Sequence, residues 1–247
     1  MISSPERPMK RRTGGLYHGA HAPKVTLTED QVEEIHDAYI ANPHTYLPKY
    51  SAQRIPVTKP IYVCEDKEAC LYAHNKLRSY HSVETLAWDE RLVKDSKNWA
   101  IYLLENDYFE HDSCYPDGEN LYLMPSDPNW NRIYQAVQMF YEEIAKYNFE
   151  HPEIYETNEQ AFKQIGHFSQ IVWKETNKIG SCVAFDNASK KTIIVCRYNI
   201  GQSYDFSTQV PQQVVNDNGE LFIPQCEDLI WENDVKPTLH RVDHYMM

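Results

Sequence analysis

Gly166-His167-Phe168-Ser169-Gln170-Ile171-Val172-Trp173 is the stretch on which the reading of this 247-residue chain turns. It sits in a longer run, 158–176, where Phe162, Ile165, Phe168 and Ile171/Val172 recur at helical spacing and predict one amphipathic helix. Ser169 follows His167 by two positions. On a helix the two side chains leave on different sides, which argues against a serine nucleophile with His167 as its base. Just beyond, the apolar period changes from 3.6 to 2. Lys178–Phe185 and Thr192–Tyr198 read as strands, and Asp186-Asn187-Ala188-Ser189-Lys190 as the turn of an antiparallel hairpin. The fold at that turn brings Cys182 and Cys196 to nearly opposite positions. They are expected as buried thiols in a reducing setting, or as a cross-strand disulfide in an oxidising one.

Working back from the octet, three more helices are expected. Leu71, His74 and Leu77 mark one face over 65–80. Asp89 is placed to cap a helix over 89–106, with Leu92, Ser96, Trp99/Ala100 and Leu103 on one side. Ile133, Val137, Phe140, Ile144 and Tyr147 give the clearest stripe, over 130–147, bounded by Pro125, Pro128 and Pro152. Helices followed by a late hairpin imply an α+β layered domain.

The rest of the chain divides by composition. Residues 1–60 hold seven of the 14 prolines, with eight basic against six acidic side chains, and read as an arm. Within it, Thr28 and Gln31 can open a short helix with Val32, Ile35 and Tyr39 on one stripe. The body is expected over 61–202. Residues 203–247 form a C-terminal extension with eight acidic against two basic side chains. There Asn218-Gly219 signals a hairpin, and Leu229-Ile230-Trp231 is expected to pack back on the body. The net charge of −12 argues against nucleic acid as a partner. No run of 18 apolar residues marks a spanning helix. The N-terminus lacks the apolar stretch of a secretory signal, and Ile2 stands where myristoylation needs Gly. An intracellular location, cytoplasmic or Golgi-associated, is therefore expected, with the six cysteines mostly as free thiols. The sequon Asn187-Ala188-Ser189 would matter only in a secreted chain.

Four short segments concentrate His and Glu: Phe109-Glu110-His111, Asp117-Gly118-Glu119-Asn120-Leu121, Tyr141-Glu142-Glu143-Ile144, and the octet itself. Spacing alone assigns them nothing, because 11 histidines in one chain pair by chance. Taken in series, however, His74-Asn75-Lys76-Leu77-Arg78, Gly118-Glu119-Asn120-Leu121, the octet and Val195-Cys196-Arg197-Tyr198 resemble the CAP superfamily. That superfamily holds the cysteine-rich secretory, venom allergen-like and pathogenesis-related proteins. The likeness is greatest to its intracellular Golgi-associated branch and to venom allergen-like members without signal peptides. It departs from the secreted pattern where Arg197 and Gln202 stand in place of asparagines.

The resemblance implies a three-layer α-β-α sandwich with N- and C-terminal extensions. It also implies a cleft of two His and two Glu, which motif matching puts on His111, Glu119, Glu143 and His167. Glu143 is preferred to Glu142 because Glu143-Ile144 precedes Tyr147-Asn148-Phe149 at the family's spacing, and a helix side shared with Phe140 and Tyr147 supports the choice. Two imidazoles and two carboxylates suit a weakly held Zn²⁺ or another divalent cation. The resemblance favours a non-enzymatic protein that binds a lipid (sterol, fatty acid or phospholipid), a protein partner or a second copy, with at most peripheral membrane contact. Two alternatives stand beside it: a metal-dependent hydrolase or protease in the same cleft, and an inert scaffold acting through its extensions. The residues that motivate a lipid site are Tyr122, Leu123, Met124, Trp130, Tyr134, Phe140, Tyr141, Tyr147 and Phe149.

Overall fold

A computed structural model of the chain describes residues 54–113, 115–125, 132–202 and 205–246. The expected arm helix, Cys114 and Trp130 lie outside them.

The hairpin forms the centre of the structure. Strands β5 (Lys178–Asp186) and β6 (Lys191–Tyr198) are buried along almost their whole length. A strand buried on both faces needs apolar residues on both, which explains the near-continuous run Ile193-Ile194-Val195-Cys196. Around the pair, β4 (Gly118–Met124) lies against β6, and β2 (Ile61–Cys64) against β5. Strand β7 (His240–Arg241) closes the far edge beside β2, giving the order β4-β6-β5-β2-β7. Strand β3 (Ala87–Trp88) adds a short parallel pairing to β5. Outside this sheet, β1 (Arg54–Pro56) pairs with β8 (His244–Met246). The C-terminal segment therefore contributes strands of its own.

Helices cover both faces. Even-numbered β6 residues Ile194, Cys196 and Tyr198 point to one core with α1 (Lys67–Tyr80), α3 (Arg132–Glu142) and α6 (Gly166–Val172). Odd-numbered Ile193 and Val195 point to the other, with Ala100, Ile101, Leu103 and Leu104 of α2 (Glu90–Glu105). This is the three-layer α-β-α arrangement expected from the sequence. Asp89 caps α2 as expected, its carboxylate accepting from the backbone N–H of Arg91 and Leu92.

Two expectations are corrected. First, the run 158–176 is not one helix. It breaks into α5 (Glu159–Phe162) and α6, with Ile165 at φ −134° between them, and α6 ends at Val172. A side chain from elsewhere in the fold binds the new N-terminus of α6, as shown below. Arg78 binds its end: fully buried, it donates to the carbonyls of Ile171 (2.8 Å), Trp173 (3.0 Å), Thr176 (2.8 Å) and Glu84 (2.6 Å). Helix ends leave such carbonyls without intrahelical partners, and the guanidinium supplies them. Second, Cys182 and Cys196 are not opposite. Cys182 faces Val195 and Cys196 faces Ser181, so the two thiols lie in different cores and cannot bridge across the ladder. The five described cysteines are free. The hairpin expected at Asn218-Gly219 forms in short form: Val215 bridges Leu221 antiparallel, the Phe222 N–H donates to the Val214 carbonyl at 2.9 Å, and Gly219 turns at φ +78°.

The apolar triplet does pack back. Leu229 is fully buried and Trp231 stacks on Tyr72 at 6.4 Å. A four-residue helix, α4 (Ile154–Thr157), precedes α5, and α7 (Phe206–Gln209) follows the hairpin. Among the described residues, no helix is long and apolar enough to cross a membrane.

Candidate functional site

The four sequence-matched residues meet at the β4 edge of the sheet as two pairs. Glu143 begins the 3₁₀ turn that continues α3 (Glu143–Lys146). Its Oε2 accepts the backbone N–H of His167 (2.8 Å) and Phe168 (3.2 Å), binding the open N-terminus of α6. Its Oε1 accepts Nδ1–H of the His167 ring at 2.8 Å. One carboxylate thus starts the helix and aims its second residue. Phe140, one turn before Glu143, stacks on the His167 ring at 4.8 Å. Glu142 is engaged elsewhere, accepting from Gln138.

The second pair stands beside the first. Glu119 is the second residue of β4, and its Oε1 accepts from His111 Nδ1 at 3.0 Å and from the Asp112 N–H at 3.2 Å. Because a carboxylate oxygen only accepts, Nδ1 is the protonated nitrogen in both imidazoles. That leaves both Nε2 atoms for a ligand. Neither makes a hydrogen bond to another described residue. The two rings stand 6.5 Å apart, centre to centre, at 39°. The His111 side chain is 60% exposed and that of His167 32%, whereas Glu119 and Glu143 are 5% and 16% exposed. The carboxylates are the buried supports and the imidazoles the presented groups.

Further residues hold this arrangement, and the sequence did not assign them. Arg197 is 4% exposed and lies directly opposite Glu119 in the β4–β6 ladder. Its Nε donates to Glu119 Oε2 at 3.0 Å and its Nη2 to Asp112 Oδ2 at 2.8 Å, with Nη2 also in ion-pair contact with Glu119 Oε2 at 2.9 Å. Its guanidinium lies 3.9 Å from the centre of the Tyr115 ring. Burial works against the Arg197 charge, but Glu119 and Asp112 outweigh it, and the Arg197 pKa is raised. The available signal was Arg197 itself, a cation directly after the apolar run Ile193-Ile194-Val195-Cys196.

A neutral network supports the His167 side. Asn120 Nδ2 donates to the His167 carbonyl (3.2 Å) and to the Tyr198 hydroxyl (3.1 Å). His74 Nδ1 donates to the Cys70 carbonyl (2.9 Å), so its Nε2 accepts from the same tyrosine (2.9 Å). His74 is fully buried and structural. Ser169 is also fully buried, donating to the Ile165 carbonyl and accepting from Gln202, and is no nucleophile for His167.

Among the described residues, no three or more His, Cys, Asp or Glu side chains form a ready metal cage. Of the aromatic residues behind the lipid expectation, Tyr134, Phe140, Tyr141 and Tyr147 are buried core. Leu123 remains exposed, with Tyr122 and Phe149 half-buried.

Comparison with known proteins gives the same grouping. The cysteine-rich secretory protein family model (CAP) matches residues 71–198, just over half of the chain. Pathogenesis-related protein PR-1 of Medicago truncatula is 28% identical over 160 residues, covering 65% of this chain and 88% of the relative. Venom allergen 5 of Dolichovespula arenaria is 28% identical over 131 residues, and the match spans 61% of that protein and 50% of this one. The solved structure of Na-ASP-1 overlaps 59% of this chain and 41% of its own at 22% identity, with a TM-score of 0.49, too loose to bear on function. The matched span runs from Leu71 in α1 to Tyr198 at the end of β6 and takes in both His–Glu pairs, and the chain belongs to the CAP, or cysteine-rich secretory protein, family.

Proposed function

We propose that the chain is a non-enzymatic CAP-domain protein whose cleft holds a divalent cation weakly through Nε2 of His111 and His167. One observation carries this reading: each imidazole gives Nδ1–H to a largely buried carboxylate, which leaves its Nε2 without a described partner. This carboxylate–histidine pairing fixes the tautomer and makes the free nitrogen more basic, as for metal-bound histidines. Imidazole nitrogen suits Zn²⁺ and its neighbours in the transition series. Weakness follows from two features. The ion would have two nitrogen ligands from the chain, fewer than the three or four of ordinary zinc sites. At Zn–N distances of about 2 Å, a tetrahedral pair of imidazoles has ring centres roughly 5 Å apart. From the 6.5 Å seen here the rings must close further on the ion. When bound, the ion would supply positive charge and open positions for water or an anionic group.

The experiment is calorimetric titration of the full chain with Zn²⁺, alongside His111→Ala and His167→Ala. Binding in the wild type and its loss in both variants is the expected result. Wild-type binding unaffected by either substitution would place the ion elsewhere. Turnover of a peptide and ester panel that disappears in His167→Ala would restore the hydrolase reading.

One groove bears on lipid binding: open and about 390 Å³, it is lined by Ile144, Tyr147, Phe149 and Leu221, together with the polar Lys146, Asn148, Glu150 and Gln213. Its size falls near the lower end for small-molecule sites. A fluorescent fatty acid bound by the wild type and lost in Phe149→Glu would support this reading, and unchanged binding in the variant would remove the groove from it.

A further inference from the structure

We propose that Arg197 is the positioning residue of the cleft: acting through Glu119, it fixes the ring and the Nδ1–H tautomer of His111, and it withholds Glu119 from the cation. This rests on reading the cleft as a cation site and adds how that site is set.

Counting hydrogen bonds makes the case. A carboxylate offers about four lone-pair directions. On Glu119, Oε1 accepts His111 Nδ1–H and the Asp112 N–H, and Oε2 accepts Nε–H of Arg197, with Nη2 in ion-pair contact at 2.9 Å. Oε1 has two donors and Oε2 lies against the guanidinium charge, so Glu119 can reach an ion only by giving up a bond or by setting the ion beside Arg197. Glu143 is different: its Oε2 has two backbone donors, and its Oε1 has one described donor, His167 Nδ1. If the cation takes a carboxylate, it takes Glu143. The two His–Glu pairs look alike in sequence and are unlike in what they can donate.

The fork of Arg197 is what holds Glu119 still. Nε and Nη2 converge on one oxygen, Nη2 extends to Asp112 Oδ2, and the Asp112 N–H returns to Glu119, closing a ring of contacts. Tyr115 lies against the guanidinium plane. A lysine at this position keeps the charge but has no planar fork, so it cannot hold the carboxylate in one orientation. With Glu119 loosened, nothing else described constrains the His111 ring, which is 60% exposed.

The test compares the full-length wild type with Arg197→Lys by two readouts. The first is the tautomer of His111 and His167 from imidazole ¹⁵N shifts without metal. The second is Zn²⁺ affinity by calorimetry. The wild type is expected to show Nδ1–H for both rings. Arg197→Lys is expected to give mixed tautomers at His111, leave His167 unchanged, and weaken Zn²⁺ binding about tenfold, the lower end for loss of an orienting partner. A folded Arg197→Lys with unchanged His111 tautomer overturns the proposal, even if its melting temperature falls. So does an unchanged Zn²⁺ affinity. If Arg197→Lys does not fold, Asp112→Asn frees one side of Nη2 at a half-exposed position and must move the same readouts in the same direction, or the proposal fails. If the wild type takes no Zn²⁺, the cation reading fails and the tautomer comparison still decides the role of Arg197.

Discussion

Gly180→Ala tests the packing that carries the cleft. Strand β5 passes so close to the first turn of α2 that a Cβ on Gly180 would lie 2.3 Å from the Val93 nitrogen and 2.5 Å from the Leu92 carbonyl carbon. Comfortable carbon contacts begin near 3.5 Å, so strand and helix must separate by about 1 Å. These are backbone atoms and cannot swing aside. Overpacking of this kind costs about 1–3 kcal/mol. The separation also stretches the 2.9 Å hydrogen bond from the Ser96 hydroxyl to the Gly180 carbonyl, worth about 1 kcal/mol. The expected loss is therefore about 3 kcal/mol, read as a lower urea midpoint at unchanged m-value. Ser96→Ala supplies the control. Alone it should cost about 1 kcal/mol, but in the Gly180→Ala background much less, because the bond is already lost. A loss below 1 kcal/mol for Gly180→Ala, or full additivity in the double variant, would refute the reasoning.

Other consequences are more local. Glu143→Ala removes the acceptor at the α6 N-terminus and should cost about 1–2 kcal/mol by urea denaturation, while also lowering Zn²⁺ affinity. His81 is buried between the Tyr141 hydroxyl and the Gln212 carbonyl, and burial lowers its pKa from 6.5 to about 4. The unfolded chain then binds the proton first, so the contribution of His81 is intact above pH 6.5 and lost as the pH falls toward 4. That fall in pKa corresponds to about 3 kcal/mol. Burial raises the Asp66 pKa to about 7, which opposes this trend in the whole protein. The measurement is therefore the stability difference between wild type and His81→Phe, which should shrink by about that amount from pH 6.5 to 4; a constant difference would contradict the assignment.

The sequence is most informative where structure is local. Asp89 as a cap, the stripe of α3 and the hairpin at 186–190 depend on neighbours in the chain, and all three appear as expected. The break between α5 and α6 depends on Glu143, which is distant in sequence, so periodicity alone runs straight through it. Strands β2 and β7 are too short to read alone, and seven-residue β4 is defined by its pairing with β6 rather than by an alternating pattern. A single step of register separates opposed cysteines from cysteines on different faces, and composition cannot set that step. The cleft residues His111, Glu119, Glu143 and His167 were matched by motif, but their division into buried supports and presented imidazoles needed the fold. Arg197 appeared in the sequence only as a departure from the secreted pattern. Its meaning comes from lying opposite Glu119 across two strands.

The most direct measurement is anomalous diffraction at the zinc edge from crystals of the full chain soaked in Zn²⁺. The account predicts a peak in the cleft about 2 Å from Nε2 of both His111 and His167, with Glu119 still bound to Arg197. A peak coordinated by Glu119, or a cleft without zinc while the ion binds elsewhere, would contradict it.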